Sequence, residues 1–372
     1  MNMTEQEAYI CLNMMERIGP VGVRSLVAVL GSARAIFDAS REALQQADGI
    51  GPEMAECIVK QRDSINLENE LARAEAAGVR LLTSLDEDYP EGLRQIHDPP
   101  LALYIRGRLR PTDRHAVAVV GTRRATHYGM DTARKLSYQL GKAGVCVMSG
   151  LALGIDTAAH EGALRGGGRT IAVIGSGFDH LYPEENAALA KRIAEQGAVI
   201  TEFPFARKPD KTTFPMRNRI VSGLSKGVLV VEAGQRSGAA ITANQALSQG
   251  RSVFAVPGRI DSYASIGTNA LIKQGAYLVT DVQDILEHFE MLFPQSQSPA
   301  AGKVDSRGSE RYPELSKDET CVVSILEKGE LGVDVLIRES EISPSKIASL
   351  LVALELKRVV RMLPGQKVEL IG

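Results

Sequence analysis

Short β-branched apolar runs alternate with longer amphipathic stretches through most of the chain. The runs fall at residues 115–120, 145–148, 170–174, 198–201, 227–231 and 252–255, with helical repeats between them at 130–142, 184–195 and 238–249. The runs are apolar at successive positions rather than at every second one, as strands covered on both faces require. Strand–helix alternation of this length predicts an α/β fold, an extended Rossmann-like parallel sheet with helices on both faces. Runs at 79–83 and 101–105 predict further strands at one edge. Ahead of this block, residues 1–62 read as a small all-α N-terminal domain of short helices with glycine turns, and 63–290 as the central domain. Residues 291–313 are rich in Ser, Pro, Gly and Gln without an apolar period, which predicts a flexible linker. Residues 314–372 regain helical patterning and end in short alternating strands.

With 44% apolar and 24% charged residues, most of the 372-residue chain should fold. It has no uncharged apolar stretch near the roughly twenty residues a membrane span needs. The first residues are acidic, unlike a secretory signal, so the expected location is cytoplasmic. Cys11, Cys57, Cys146 and Cys321 lie far apart, so neither a zinc-binding spacing nor a redox pair is present, and no metal or cofactor is expected. The net charge of −2 means that any nucleic-acid function requires positive charge gathered locally.

Such gathering occurs at 203–219. Arg207, Lys208, Lys211, Arg217 and Arg219 are opposed there only by Asp210, and Phe203, Phe205 and Phe214 are interleaved in a chain with only 5% aromatic residues. Cations follow a sugar–phosphate backbone and rings stack on bases, which is the pattern of a single-stranded nucleic-acid site. Packing into the core is an equal reading for Phe203 and Phe205. Arg217 and Arg219 cannot face the same way on a helix, so one of the two is a candidate structural residue.

Glycine turns close several predicted strands: Gly121-Thr122-Arg123, Ser149-Gly150 through Asp156, Gly175 to Gly177, and Glu232 through Ser237-Gly238. At the carboxyl ends of parallel strands, helix N-termini offer free N–H groups to anions, which makes Ser149, Gly150, Ser237 and Gly238 candidate phosphate-binding positions. None of the turns has a Walker A or dinucleotide-binding pattern. Tight turns required by helix–sheet packing explain any single one of them equally well.

Several long motifs occur in order: Ser149 to His160, Phe214-Pro215-Met216-Arg217-Asn218-Arg219, Ser237 to Ala243, Val256-Pro257-Gly258, and Gly267 to Ala276. In these the chain resembles the DprA/Smf family over residues 79–286. The resemblance implies a Rossmann-like domain that binds single-stranded DNA, forms a homodimer, and loads RecA on incoming DNA during natural transformation, without catalysis. It places Gly121, Thr122 and Arg123, the pair Lys211 and Phe214, and Arg217, Asn218 and Arg219 in the DNA pocket. At the ends, 47–58 resembles a helix–hairpin–helix turn, with 18–22 as a degenerate copy. Residues 315–371 resemble a C-terminal winged helix, with helices at 317–327, 332–339 and 346–355, the last capped by Ser343, and a wing from 359–363 and 367–370. DNA contact and protein contact both remain open for these two ends.

A rival reading is a nucleotide-binding N-glycosidase related to the lysine-decarboxylase-like (cytokinin-activating) Rossmann proteins, in which Glu232 and Asp156 supply acid and base. Those enzymes carry a Pro-Gly-Gly-x-Gly-Thr loop. Residues 232–238 here run Glu-Ala-Gly-Gln-Arg-Ser-Gly, so the expectation is that the chain is not an enzyme and that Glu232 holds an arginine or backbone groups. A third reading, a pure assembly protein, predicts no DNA affinity in the central domain.

Overall fold

The computed structural model describes residues 3–235, 237–292, 317–326, 331–340, 342, 347, 350–351, 354–355, 359–363 and 367–370. The chain divides into two compact units, residues 1–296 and 297–372. The first begins with α1 (Glu5–Met14), α2 (Pro20–Leu30), α3 (Ala33–Asp38), α4 (Arg41–Leu44), α5 (Pro52–Arg62) and α6 (Leu67–Ala76). Their start signals are local. Thr4 and Glu7 form a reciprocal capping box, and Ser32 and Ser40 accept N–H bonds at the starts of α3 and α4. Pro20 and Pro52 open α2 and α5 directly after Gly19 and Gly51. Leu12, Leu26, Ile36, Leu44 and Ile58 make the helical core, while Ile10 and Met14 pack with Tyr104 and Val199 of the sheet.

The sheet comprises β1 (Val79–Thr83), β2 (Ala102–Gly107), β3 (Ala116–Val120), β4 (Cys146–Ser149), β5 (Thr170–Val173), β6 (Ala198–Thr201), β7 (Gly227–Val230), β8 (Ser252–Ala255) and β9 (Tyr277–Leu278). Their order is β1-β2-β6-β5-β4-β3-β7-β8-β9. Strands β3 to β9 run parallel; β2 pairs antiparallel with β6 and β1 antiparallel with β2, as the further strands at one edge that the early runs predict. The two-residue β9 at the opposite edge is too short for periodicity to reveal.

The helices between strands are α7 (Glu91–Arg94), α8 (His127–Lys142), α9 (Ile155–Arg165), α10 (Ala187–Gln196), α11 (Thr213–Gly223), α12 (Gly238–Ser248), α13 (Ile266–Lys273) and α14 (Gln283–Leu292). Strand alternation divides the core in two. Val117 and Val119 of β3 pack with α8 and α9, whereas Ala116, Ala118 and Val120 pack with α11 and α12. The chain steps outward from β3 to β6 and then returns to place β7 on the other side of β3. The carboxyl ends of β3 and β7 therefore flank a topological switch point, where ligands enter such sheets.

The second unit contains α15 (Lys317–Leu326), β10 (Leu331–Gly332), α16 (Val333–Ser340), β11 (Val360–Leu363) and β12 (Lys367–Leu370). β12 pairs antiparallel with both β10 and β11 around a core that includes Leu326, Leu336, Leu351 and Val368. The chain is thus an α/β protein with a small helical N-terminal region and a C-terminal winged helix. Ser343, Lys346 and residues 293–313 of the linker expected at 291–313 lie outside the described residues, as does much of the third helix, whereas residues 291 and 292 are the end of α14. Among the described residues, no helix is long and apolar enough to cross a membrane.

His160 on α9 is fully buried, with Nδ1 2.7 Å from Thr170 Oγ1. Burial pulls its pKa from 6.5 to about 3, so the folded chain holds it neutral. The unfolded chain takes up a proton as pH drops below 6.5, so this contribution is intact above that pH and is lost as pH falls toward about 3. Denaturant titrations across this range should show the unfolding free energy falling with acid, and falling less steeply in His160→Asn. Equal slopes in the two proteins would rule out the assignment.

Candidate nucleic-acid interface

The segment after β3 turns sharply at Gly121. Thr122 N–H donates to the carbonyl oxygen of Glu232 at 2.8 Å, and the Thr122 carbonyl accepts from Ile155 N–H at 3.3 Å. This pins the turn between β7 and α9 and leaves Arg123 exposed beyond it. The Arg123 guanidinium lies over the Phe214 ring, 4.7 Å from its centroid. Phe214 comes from the first turn of α11 and packs on Tyr182 with centroids 5.9 Å apart. Gly175, after β5, is the seat for that ring, because a Cβ there would lie 2.9 Å from Phe214 Cδ1.

Arg217 lies one turn further along α11 and is only 5% exposed. Its Nη1 donates to the carbonyl oxygens of Gly150 and Val173, and its Nε donates to Asn218 Oδ1 at 3.1 Å. Burial lowers its pKa to about 10, with Asp156 opposing. Arg123, Gly150, Tyr182, Phe214 and Arg217 line one hollow at the carboxyl edge of the sheet, together with Ala152, Leu153 and Pro183. Lys211 is exposed in the turn leading into α11, outside the lining of that hollow. Asp210 beside it pairs with Arg207 at 2.6 Å and accepts Thr212 N–H and Thr213 N–H at 2.7 and 3.0 Å, which fixes the start of α11.

The structure corrects several expectations. Arg219 is turned away from the hollow: its guanidinium is paired with Glu202 and with Asp98 Oδ2 at 3.1 Å, on the side of α11 facing β6. Ser149 is fully buried and donates to the Val119 carbonyl at 2.7 Å. Gly150 N–H is already given to Asp156 Oδ2 at 3.1 Å, and Ala152 N–H to the same oxygen at 3.3 Å. That turn cradles its own carboxylate, so Ser149 and Gly150 have no donors left for phosphate. Glu232 does the same for α8, accepting Thr126 N–H at 2.9 Å and Thr126 Oγ1–H at 2.5 Å. Ser237 caps α12 by accepting from Ala240 N–H at 3.3 Å, and Gly238 stays exposed beside Asn218, whose Nδ2 is 3.5 Å from the Gly238 carbonyl oxygen. Phe203 and Phe205 are buried, the latter edge-on to Tyr104 at 5.8 Å. Tyr182 escaped sequence reasoning, although an aromatic residue beside Pro183 after the β5 turn was a usable signal in a chain so poor in rings.

The chain matches the DNA recombination-mediator protein A family over residues 80–290 and the DprA winged helix domain over residues 309–366. It is 38% identical over 287 residues to Protein Smf of Synechocystis sp., covering 76% of this chain and 72% of that protein. The structure of DNA processing protein A from Streptococcus pneumoniae is similar with a TM-score of 0.66 at 34% identity, covering 77% of this chain and 98% of that one. A second similar structure, of DNA processing protein A from Helicobacter pylori, describes that protein's single-stranded DNA binding mode. Its TM-score is 0.52 at 31% identity, covering 58% of this chain and 98% of that one.

Proposed function

Because the chain belongs to the DNA recombination-mediator protein A (DprA/Smf) family, we propose that it binds single-stranded DNA at the carboxyl edge of its sheet and presents that strand to RecA in natural transformation. The observation that carries this is the single hollow where Arg123, Phe214, Tyr182 and Arg217 meet. A cation beside two accessible rings suits a phosphate and its adjoining base. Gly121 and Thr122 aim Arg123, Lys211 adds charge at the approach to α11, and Asn218 with Ser237 and Gly238 extends the surface toward α12. Arg219 and Arg217 brace α11, with Arg217 also forming the hollow's floor. RecA loading comes from family membership alone. A homodimer is favoured by β9, whose outer edge ends the sheet with Tyr277 and Leu278 exposed.

An N-glycosidase would need a carboxylate facing the hollow. Asp156 and Glu232 are both buried and both accept backbone N–H bonds, which supports a binding protein over an enzyme. Nucleoside monophosphates incubated with the chain should therefore release no base.

The deciding experiment is fluorescence anisotropy with labelled single-stranded and duplex oligonucleotides over a range of salt. Strong single-strand preference and a steep salt dependence are expected. Lys211→Ala should flatten the slope of log K against log salt by about one. Equal affinity for duplex, or no affinity at low salt, would overturn the proposal.

A further inference from the structure

A larger hollow opens at the opposite edge of the sheet, away from the DNA cleft. It sits where the parallel strands begin: Arg114 precedes β3, Lys226 precedes β7 and Arg251 precedes β8, with β1 and β2 forming one wall. Its volume is about 710 Å³, within the roughly 300–1,000 Å³ of small-ligand sites. The floor is apolar, made by the buried side chains of Leu82, Ile105, Met148, Ile171 and Leu224.

The mouth is cationic. Burial first, then the neighbouring Arg251 and Arg114, hold Lys226 below the usual ammonium range. Arg251 is half-buried, and among the described residues its buried Nε has no hydrogen-bond acceptor. Its Nη2 donates to the Gly92 and Gly223 carbonyls at 3.3 and 3.4 Å. Two acids in the lining are already paired, Asp113 with Arg169 outside the hollow at 2.7 Å and Asp88 with Arg80 of the same lining at 2.8 Å. Glu87 and Glu91 are exposed to solvent. This edge receives the C-terminal end of α11, whose carbonyls attract cations and repel anions. Three cationic side chains, Arg114, Lys226 and Arg251, meet at the mouth, Arg114 with its Nε donating to His115 Nε2 at 2.9 Å. An anion among them relieves their mutual repulsion.

We propose that this hollow binds a nucleoside phosphate, with the phosphate among Arg114, Lys226 and Arg251 and the base against the apolar floor. A phosphate alone would leave the floor and most of the volume unfilled. The site is independent of the DNA reading, since none of its lining residues belongs to the cleft.

Calorimetric titration of the full chain with adenosine monophosphate tests this, with inorganic phosphate as a separate arm. The nucleotide should bind at one equivalent and more tightly than phosphate. Arg114→Glu combined with Lys226→Glu should weaken it by at least about tenfold, and Arg114→Glu alone should weaken it less. Both variants should remain folded by circular dichroism, and Arg123→Ala should bind the nucleotide as wild type does. The proposal is overturned if wild type binds no nucleotide at millimolar concentration, if phosphate binds equally well, if folded mouth variants bind unchanged, or if Arg123→Ala abolishes binding.

Discussion

Replacing Arg217 with alanine is expected to lower the unfolding free energy by about 3–5 kcal/mol and to remove single-stranded DNA binding with it. The side chain runs from α11 to the ends of β4 and β5, where one nitrogen serves the carbonyls of both Gly150 and Val173. Gly150 has no Cβ because one would lie 2.5 Å from that guanidinium. Arg217 is also the positive neighbour that opposes the effect of burial on Asp156. Truncation leaves two carbonyls short of a donor and a buried carboxylate without its positive neighbour. The sign of the pH dependence follows. Burial raises the Asp156 pKa above 3.8, so its ionisation costs the folded state stability as pH climbs past that value, and loss of Arg217 enlarges the cost. The destabilisation should therefore shrink as the pH is lowered toward the range where Asp156 is protonated. Asp156→Ala combined with Arg217→Ala should lose less than the two single losses summed. Denaturant titration followed by circular dichroism measures all of this. A loss below about 1 kcal/mol in Arg217→Ala would show that the buried pair does not hold the turn.

Where burial alone writes the pattern, the sequence was easy to read. Val117 and Val119 against Ala116 and Ala118 already give a strand covered on both faces, and the edge runs at 79–83 and 101–105 stand out for the same reason. That Arg123 and Phe214 share a pocket was implied by the family resemblance the motifs carry; that the guanidinium lies over the ring was not. Partner identity was not accessible. Helical periodicity states that Arg217 and Arg219 diverge, but which of them is paired depends on Glu202 and Asp98, and Asp98 lies 121 residues away in the chain. The Ser149-Gly150 turn has the composition of an anion cradle, and it is one. Its anion is Asp156, six residues on, and composition does not separate an internal carboxylate from an external phosphate. The hollow at the far edge draws its lining from several strand starts, from β1 and β2 and from the segment that joins them, so no local stretch of sequence announces it.

Arg123→Ala is expected to weaken binding of a single-stranded oligonucleotide by about tenfold to a hundredfold while leaving the unfolding midpoint unchanged. Arg123 is exposed, and its contact with the Phe214 face is worth only about 0.5–1 kcal/mol at such a site, so folding should hardly register its loss. A charge-assisted contact to phosphate is worth roughly 1.5–3 kcal/mol, which sets the expected range. Phe214→Ala should cost a similar amount of affinity through lost stacking, about 1–3 kcal/mol, but it should also lower stability, because the ring packs on Tyr182 and over Gly175. Salt separates the two roles. Removing a phosphate contact reduces the slope of log K against log salt by about one, whereas removing a stacking surface leaves the slope where it was. The two residues touch, so their losses should not add in the double variant. If Phe214→Ala flattened the slope as much as Arg123→Ala does, the ring would act only by positioning the guanidinium, and base stacking would fall to Tyr182. If neither changed affinity, the DNA would have to bind away from this hollow.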